Sequence, residues 1–320
     1  MALAFVFPGQ GSQAPGMGRD LAAAFASARE VFGLVDETLK QHLSRLMFEG
    51  PPEDLTLTAN AQPALMAHSL AVLRVLESEG GFKLADRVSL VAGHSLGEYS
   101  ALAAASAFDI PTAARLLRLR GEAMQAAVPA GEGAMAALLG ADLAQAIAIC
   151  ERASEDPETG EKQVVEAAND NGGGQVVISG AKAAVERAVE IAKTDGVKRA
   201  MILPVSAPFH CALMAPAAAV MRDALDDASI QAPLVPLVAN VSAAKATDPA
   251  NIRDMLVTQV TATVRWRECV AAMAAMGCDR FVELGAGKVL TGLAKRNAPD
   301  AQAMACGTPA EIETVLRSLT

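Results

Sequence analysis

VSLVAGHSLGEYSALAAASA, residues Val88–Ala107, is the stretch on which the fold turns. Val88–Ala92 is a short apolar run suited to a strand buried on both faces, and Leu96–Ala107 has the length and Ala/Leu content of a helix. Between them, Gly93-His94-Ser95-Leu96-Gly97 has the form G-x-S-x-G. A strand that turns at once into a helix holds its central residue in a strained corner, and glycines on either side remove the Cβ atoms that would collide there. A serine so placed stands at a helix N-terminus, where amides and the helix dipole favour developing negative charge. An ordinary glycine-rich turn is the competing reading, and the flanking strand and helix argue against it.

Outward from this corner, strands and helices alternate. Leu3–Phe7 reads as a strand, Leu21–Phe48 as helical with a possible break at Gly33, and Gln62–Glu79 as a helix ended by Gly80-Gly81. Val235–Asn240 and Arg280–Glu283 supply further strands, with helices at Pro249–Gln259 and Arg267–Met276. Such alternation predicts an α/β fold with a mainly parallel sheet covered on both faces. The middle of the chain departs from it: strand Ala134–Leu139, helix Asp142–Ala153, strands Val164–Ala168 and Gln175–Ser179 around Asn169–Gly174, helix Ala181–Lys193, strand Arg199–Val205. That βαββαβ order is the ferredoxin-like unit. The expected organisation is a small domain, residues 131–205, inserted into a large catalytic domain formed by residues 1–130 and 206–320. A cleft is expected where two lobes meet.

Composition narrows the function. Hydrophobic residues make up 52% of the 320, but aromatics only 3%, so the core is built mainly from Ala, Leu, Val and Met. A net charge of −9 argues against general affinity for nucleic acid or an anionic membrane, while leaving room for a local basic patch. The apolar N-terminus lacks a basic residue and stops at Pro8-Gly9, too short for a signal-peptide core, and no apolar run approaches the ~18 residues of a membrane span. Five cysteines without CxxC spacing read as reduced thiols of a cytoplasmic protein. No His, Cys or carboxylate cluster has metal-ligand spacing, so neither metal nor cofactor is expected.

A serine hydroxyl needs a base. Of the four histidines, His94 adjoins Ser95, but successive side chains at such a corner point apart. His42 and His68 lie far upstream and read as helix-face residues. His210 follows strand Arg199–Val205 in a loop at a strand's carboxyl end, where α/β folds place their chemistry, and is the candidate by location and elimination.

One arginine sits on the wrong face. In the helix read over Ile110–Val128, Arg115 and Arg118 share an edge, while Arg120 falls in line with Ala113, Met124 and Ala127. A guanidinium on an apolar stripe is costly unless an anion meets it. An internal salt bridge is one solution. A substrate carboxylate, held by the planar fork, is the other.

Three glycine motifs lead elsewhere. Gly9-Gln10-Gly11-Ser12-Gln13-Ala14 fits a loose dinucleotide fingerprint but lacks the second strand and its terminal acid. Gly285-Ala286-Gly287-Lys288 lacks the spacing and the Ser/Thr of a phosphate loop. Gly172-Gly173-Gly174 reads as a hairpin turn.

FPGQGSQ (Phe7–Gln13), GHSLGEYSAL (Gly93–Leu102), RLRGEAMQ (Arg118–Gln125), APFHCALM (Ala207–Met214), QVTATVRW (Gln259–Trp266) and ELGAGKVLTGL (Glu283–Leu293) together resemble the malonyl-CoA:acyl-carrier-protein transacylases of fatty-acid synthesis. The matches run in order along the whole chain. The resemblance implies a hydrolase-like α/β domain carrying a ferredoxin-like insert. It implies Ser95 as nucleophile, His210 as base, and Gln259 orienting His210 through its backbone carbonyl. It further implies Gln10 and Leu96 amides as the oxyanion hole and Arg120 as partner of the malonyl carboxylate. Phe209 would exclude an extra methyl group, although some relatives carry Ser there; Met124 would line the pocket, with Asn169 and Asn171 approaching from the small domain. The implied reaction is ping-pong malonyl transfer from malonyl-CoA to the phosphopantetheine thiol of acyl carrier protein, by a monomer. Carrier protein is typically acidic, so Lys193, Lys198, Arg199, Lys288, Lys295 and Arg296 are candidates for a basic docking patch. A serine thioesterase or esterase, and a silent scaffold that only docks carrier protein, are the rivals.

Overall fold

A computed structural model describes residues 2–319. Met1 and Thr320, the outermost residues of the expected large domain, lie outside the described residues. Among the described residues ten strands form two sheets: β1 (Ala2–Phe7), β2 (Leu90–Gly93), β3 (Gly133–Leu139), β4 (Val165–Gly172), β5 (Gln175–Ala181), β6 (Arg199–Ile202), β7 (Leu237–Val238), β8 (Lys245–Ala246), β9 (Cys278–Leu284) and β10 (Gln302–Cys306). The larger sheet has the order β10-β9-β1-β2-β7-β8. It is parallel except for the β7–β8 pair.

Alternation along β1 shows why this sheet needs cover on both sides. Leu3, Phe5 and Phe7 enter one apolar cluster with the long helix Thr58–Gly80, while Ala4 and Val6 enter another with Trp266, Phe281 and Leu290. Pairing of Phe7 with Gly93 aligns the carboxyl ends of β1 and β2. The loop after β1 therefore lies beside the Ser95 corner, at the sheet edge where such folds bind ligands.

The second sheet has the order β4-β5-β3-β6, all neighbours antiparallel. Helices Leu143–Ala153 and Lys182–Thr194 bury Ile149, Ala153, Val185 and Ala188 against it. All three glycines 172–174 adopt positive φ in the β4–β5 hairpin. The end of β4 locks onto the larger lobe. Asp170 N donates to Val264 O (2.9 Å) and Val264 N to Ala168 O (2.8 Å), and Arg267 pairs with the buried Asp170 carboxylate (2.8 Å).

Several boundaries differ from the sequence reading. Gly33 does not break its helix, which runs Ala26–Leu39. The chain instead turns at Phe25, in extended backbone, and at Lys40, in the left-handed region. His42 precedes the next helix, Leu43–Glu49, rather than lying on a helix face. The strand expected over Val235–Asn240 shrinks to Leu237–Val238, because Asn240 is drawn into the Ser95 corner. Among the described residues, no helix is long and apolar enough to cross a membrane.

Candidate active site

Ser95 sits at φ 54°, a conformation few non-glycine residues adopt. The corner that holds it is tight. A Cβ on Gly93 would lie 1.9 Å from the Gly97 carbonyl carbon, and one on Gly97 would lie 2.2 Å from Phe7 O. Asn240 braces the turn: its Oδ1 accepts from Ser95 N (2.9 Å) and its Nδ2 donates to Gly93 O (2.7 Å). Asn240 N in turn donates to the buried Glu98 carboxylate (3.1 Å). Because the clash at Gly93 is with backbone, Gly93→Ala is expected to destabilise the fold by about 4 kcal/mol or more. Denaturant unfolding measures this, and a loss below about 1 kcal/mol would contradict the crowding.

His210 reaches the same point from the loop after β6. Its Nε2 lies 2.7 Å from Ser95 Oγ, and its Nδ1 lies 2.8 Å from Gln259 O. A carbonyl only accepts, so Nδ1 carries the proton and Nε2 is left to accept from the serine. Burial, then the nearby Arg120 charge, pushes the imidazole pKa down to about 3, against the raising effect of the Gln259 carbonyl. The ring is therefore a neutral base at physiological pH.

Arg120 is buried, at 1% exposure, while Arg115 on the same helix, Ile110–Ala126, is exposed. Its Nη1 donates to Gln62 Oε1 (2.8 Å), and its Nη2 to Gln259 Oε1 (2.9 Å) and Ser95 Oγ (3.2 Å). Among the described residues it forms no salt bridge. The carboxylate of Glu98 stands one amide away, bonded to Gln259 Nε2. Burial raises the Glu98 pKa to about 7, against lowering by Asn240 N, Gln259 and Arg120. The sequence left open an internal salt bridge or a substrate carboxylate for Arg120. In the structure its fork donates to two amide oxygens and the Ser95 hydroxyl, with Glu98 set back behind Gln259.

Ser95, His210, Arg120 and Gln62 line a cavity of about 390 Å³. Gln10, Leu96, Met124 and Phe209 line it as well, as does Asn169 from the small lobe. Asn171 does not. Its Oδ1 bonds Nε2 of His94 (2.9 Å), which does line the cavity. His94 is thus a structural tie between the lobes. Sequence reasoning missed Gln62, Glu98 and Asn240. The first two are polar residues interrupting apolar helical runs, the same signal that found Arg120. Asn240 carries no such signal.

A serine hydroxyl bonded to a neutral imidazole, beside a buried guanidinium in a cleft, is the centre of a serine acyltransferase. The chain belongs to the acyl transferase domain family, whose model it matches over residues 4–308. It is 46% identical to the malonyl CoA-acyl carrier protein transacylase of Bacillus subtilis, covering 99% of this chain and 97% of that one. It is 46% identical to the enzyme of the same name in Escherichia coli K12, covering 98% of each. Among solved structures, the acyl-carrier-protein S-malonyltransferase of Bartonella henselae superposes with a TM-score of 0.95 at 55% identity, covering 100% of this chain and 99% of that one. A malonyl-transacylase in complex with a type II PKS acyl-carrier protein gives 0.94 at 42%, covering 99% and 100%.

Proposed function

We propose that this chain transfers a malonyl group from malonyl-CoA to the phosphopantetheine thiol of acyl carrier protein through a malonyl ester on Ser95. The observation that carries the reading is the buried Arg120 guanidinium, 3.2 Å from Ser95 Oγ and free of a salt bridge among the described residues. A three-carbon acyl group on Ser95 puts its carboxylate within that fork's reach. The names of the relatives agree.

In this reading Ser95 Oγ attacks the thioester carbonyl and its proton passes to His210 Nε2. The oxyanion is met by the amides of Gln10 and Leu96, each donor contributing roughly 10²–10³ in rate. The tetrahedral adduct collapses, and the CoA sulfur leaves with the proton from His210. The carrier thiol then gives its proton to His210 and attacks the ester, and Ser95 Oγ leaves and recovers the proton. Gln259 holds His210 by its carbonyl and Arg120 by its side chain. Phe209 and Met124 bound the space around the acyl group. We read the architecture as a hydrolase-like domain, residues 1–130 and 206–320, with a ferredoxin-like insert, residues 131–205. The β4-β5-β3-β6 order favours that reading of the insert.

Lys198, Arg199, Lys295 and Arg296 are exposed; Lys198 lies beside Gly140 and Arg296 beside Gly173. Lys193 and Lys288 are engaged by Glu190 (2.6 Å) and Glu311 (3.0 Å). The first four therefore form the docking face for an acidic carrier protein. Reversing Lys198 and Arg296 to Glu is expected to slow transfer to carrier protein about tenfold, leaving acylation by malonyl-CoA unchanged. The function itself is tested by mixing enzyme, malonyl-CoA and phosphopantetheinylated carrier protein and weighing the carrier. Malonyl carrier protein supports transfer; free malonate released without a thiol acceptor would make the protein a thioesterase.

A further inference from the structure

Between Arg120 and the loop of Gln10 runs an unbroken line of hydrogen bonds, buried as far as Thr58 and half-buried at Gln10. Arg120 Nη1 lies 2.8 Å from Gln62 Oε1, Gln62 Nε2 lies 3.0 Å from Thr58 Oγ1, and Thr58 Oγ1 lies 2.9 Å from Gln10 Oε1. Elementary donor and acceptor chemistry fixes its direction. A guanidinium only donates, so the oxygen of the Gln62 amide faces Arg120 and its nitrogen faces Thr58. Thr58 Oγ1 then accepts from Gln62, and its hydroxyl proton is left to donate to Gln10. The Gln62 amide is held by a further contact, Nε2 to Met124 Sδ (3.7 Å). Gln62 and Thr58 are 1% and 0% exposed, which shields the bonds from Arg120 as far as Thr58 from water.

We propose that Thr58 is a positioning residue that pins the Gln10 side chain, and with it the Gln10 backbone amide, to the polar line that starts at Arg120. This rests on the reading of Gln10 as an oxyanion donor given above. Thr58 touches neither acyl group nor reacting atoms in that reading. Its effect passes through the placement of the loop after β1, whose glycine neighbours Gly9 and Gly11 give it little stiffness of its own. Bonds that all point one way from a cation reinforce one another in a low-dielectric interior. Arg120 thus helps order the oxyanion site as well as facing the acyl chain.

The consequence separates Thr58 from Arg120. The oxyanion forms whatever acyl group is transferred, so Thr58 matters equally for charged and uncharged acyl groups. Thr58→Val keeps shape and volume but removes donor and acceptor. It is expected to lower kcat about tenfold for malonyl-CoA and acetyl-CoA alike, the size of a misplaced rather than a deleted oxyanion donor, with each KM little changed. Thr58→Ser restores the hydroxyl and should restore kcat. Gln10→Met removes the acceptor at the far end while keeping the backbone amide, and Gln10 is only half-buried. It should cost the same tenfold, and adding Thr58→Val to it should cost no more. If Thr58→Val does not fold, Gln10→Met decides alone. Wild-type kcat in Gln10→Met, no rescue by Ser, or losses that multiply in the double variant would overturn the proposal. A wild-type enzyme that forms no acyl-serine at all would instead overturn the functional reading beneath it.

Discussion

His210→Ala is expected to slow acylation of Ser95 by about five orders of magnitude, with the fold intact. Removing the base of a serine–imidazole pair disables the pair as a unit, and what survives comes from the oxyanion donors and substrate binding alone. The geometry leaves no substitute. His94, the nearest other imidazole in sequence, is turned to Asn171, and Gln259 presents to Ser95 only an amide. Single-turnover acylation followed by quenched mass measurement reads the effect, and a loss under about a hundredfold would show that another group accepts the proton. The pH dependence carries a sign. An imidazole with an ordinary pKa of 6.5 loses half its basic form at that pH, whereas burial and Arg120 hold His210 at about 3. Acylation by acetyl-CoA, which has no acyl carboxylate to titrate, should therefore not fall as pH drops from 8 through 6.5. A half-loss near 6.5 that persists in Glu98→Gln, where the neighbouring carboxyl no longer titrates, would place an exposed, ordinary histidine in the role.

Arg120→Ala is expected to invert selectivity. A charge-assisted fork buried in a cleft is worth on the order of 3–5 kcal/mol to its partner, so kcat/KM for malonyl-CoA should fall about 10²–10⁴-fold. Acetyl-CoA has no carboxylate to lose and should fall far less, leaving only the damage done by freeing Gln62 and Gln259. Arg120→Lys should recover little, since an ammonium cannot span both Gln62 and Gln259 while still facing Ser95. Competition between the two thioesters in one tube gives the ratio directly. Persistence of the malonyl preference in Arg120→Ala would assign acyl selection to another part of the cavity.

The parts of this site legible in the sequence are those whose chemistry conflicts with their local pattern. Ser95 announces itself because two glycines bracket it between a strand and a helix. Arg120 does so because a charge interrupts an apolar helix stripe, and the same reasoning applied to Gln62 and Glu98 would have found both. His210 stands out only by its place after a strand and by elimination of the other three histidines. Asn240 was invisible, since a single asparagine after a short strand signals nothing until the tertiary fold brings it to Gly93 and Ser95. Asn171 shows the converse limit. The sequence puts it in the turn after a strand ending at Ala168, whereas β4 runs on to Gly172 with two register shifts and with Asn169 bridged to Val264 on the other lobe. Helix ends differ as well: Gly33 takes no positive φ, whereas the chain turns at Phe25, in extended backbone, and at Lys40, in the left-handed region.

Intact-mass measurement of the protein after mixing with malonyl-CoA, without carrier protein, tests the central claim most directly. A gain of one malonyl group that maps to Ser95, is absent from Ser95→Ala and disappears on adding phosphopantetheinylated carrier protein is the predicted result. An unchanged mass, or a malonyl group that persists in Ser95→Ala, would contradict it.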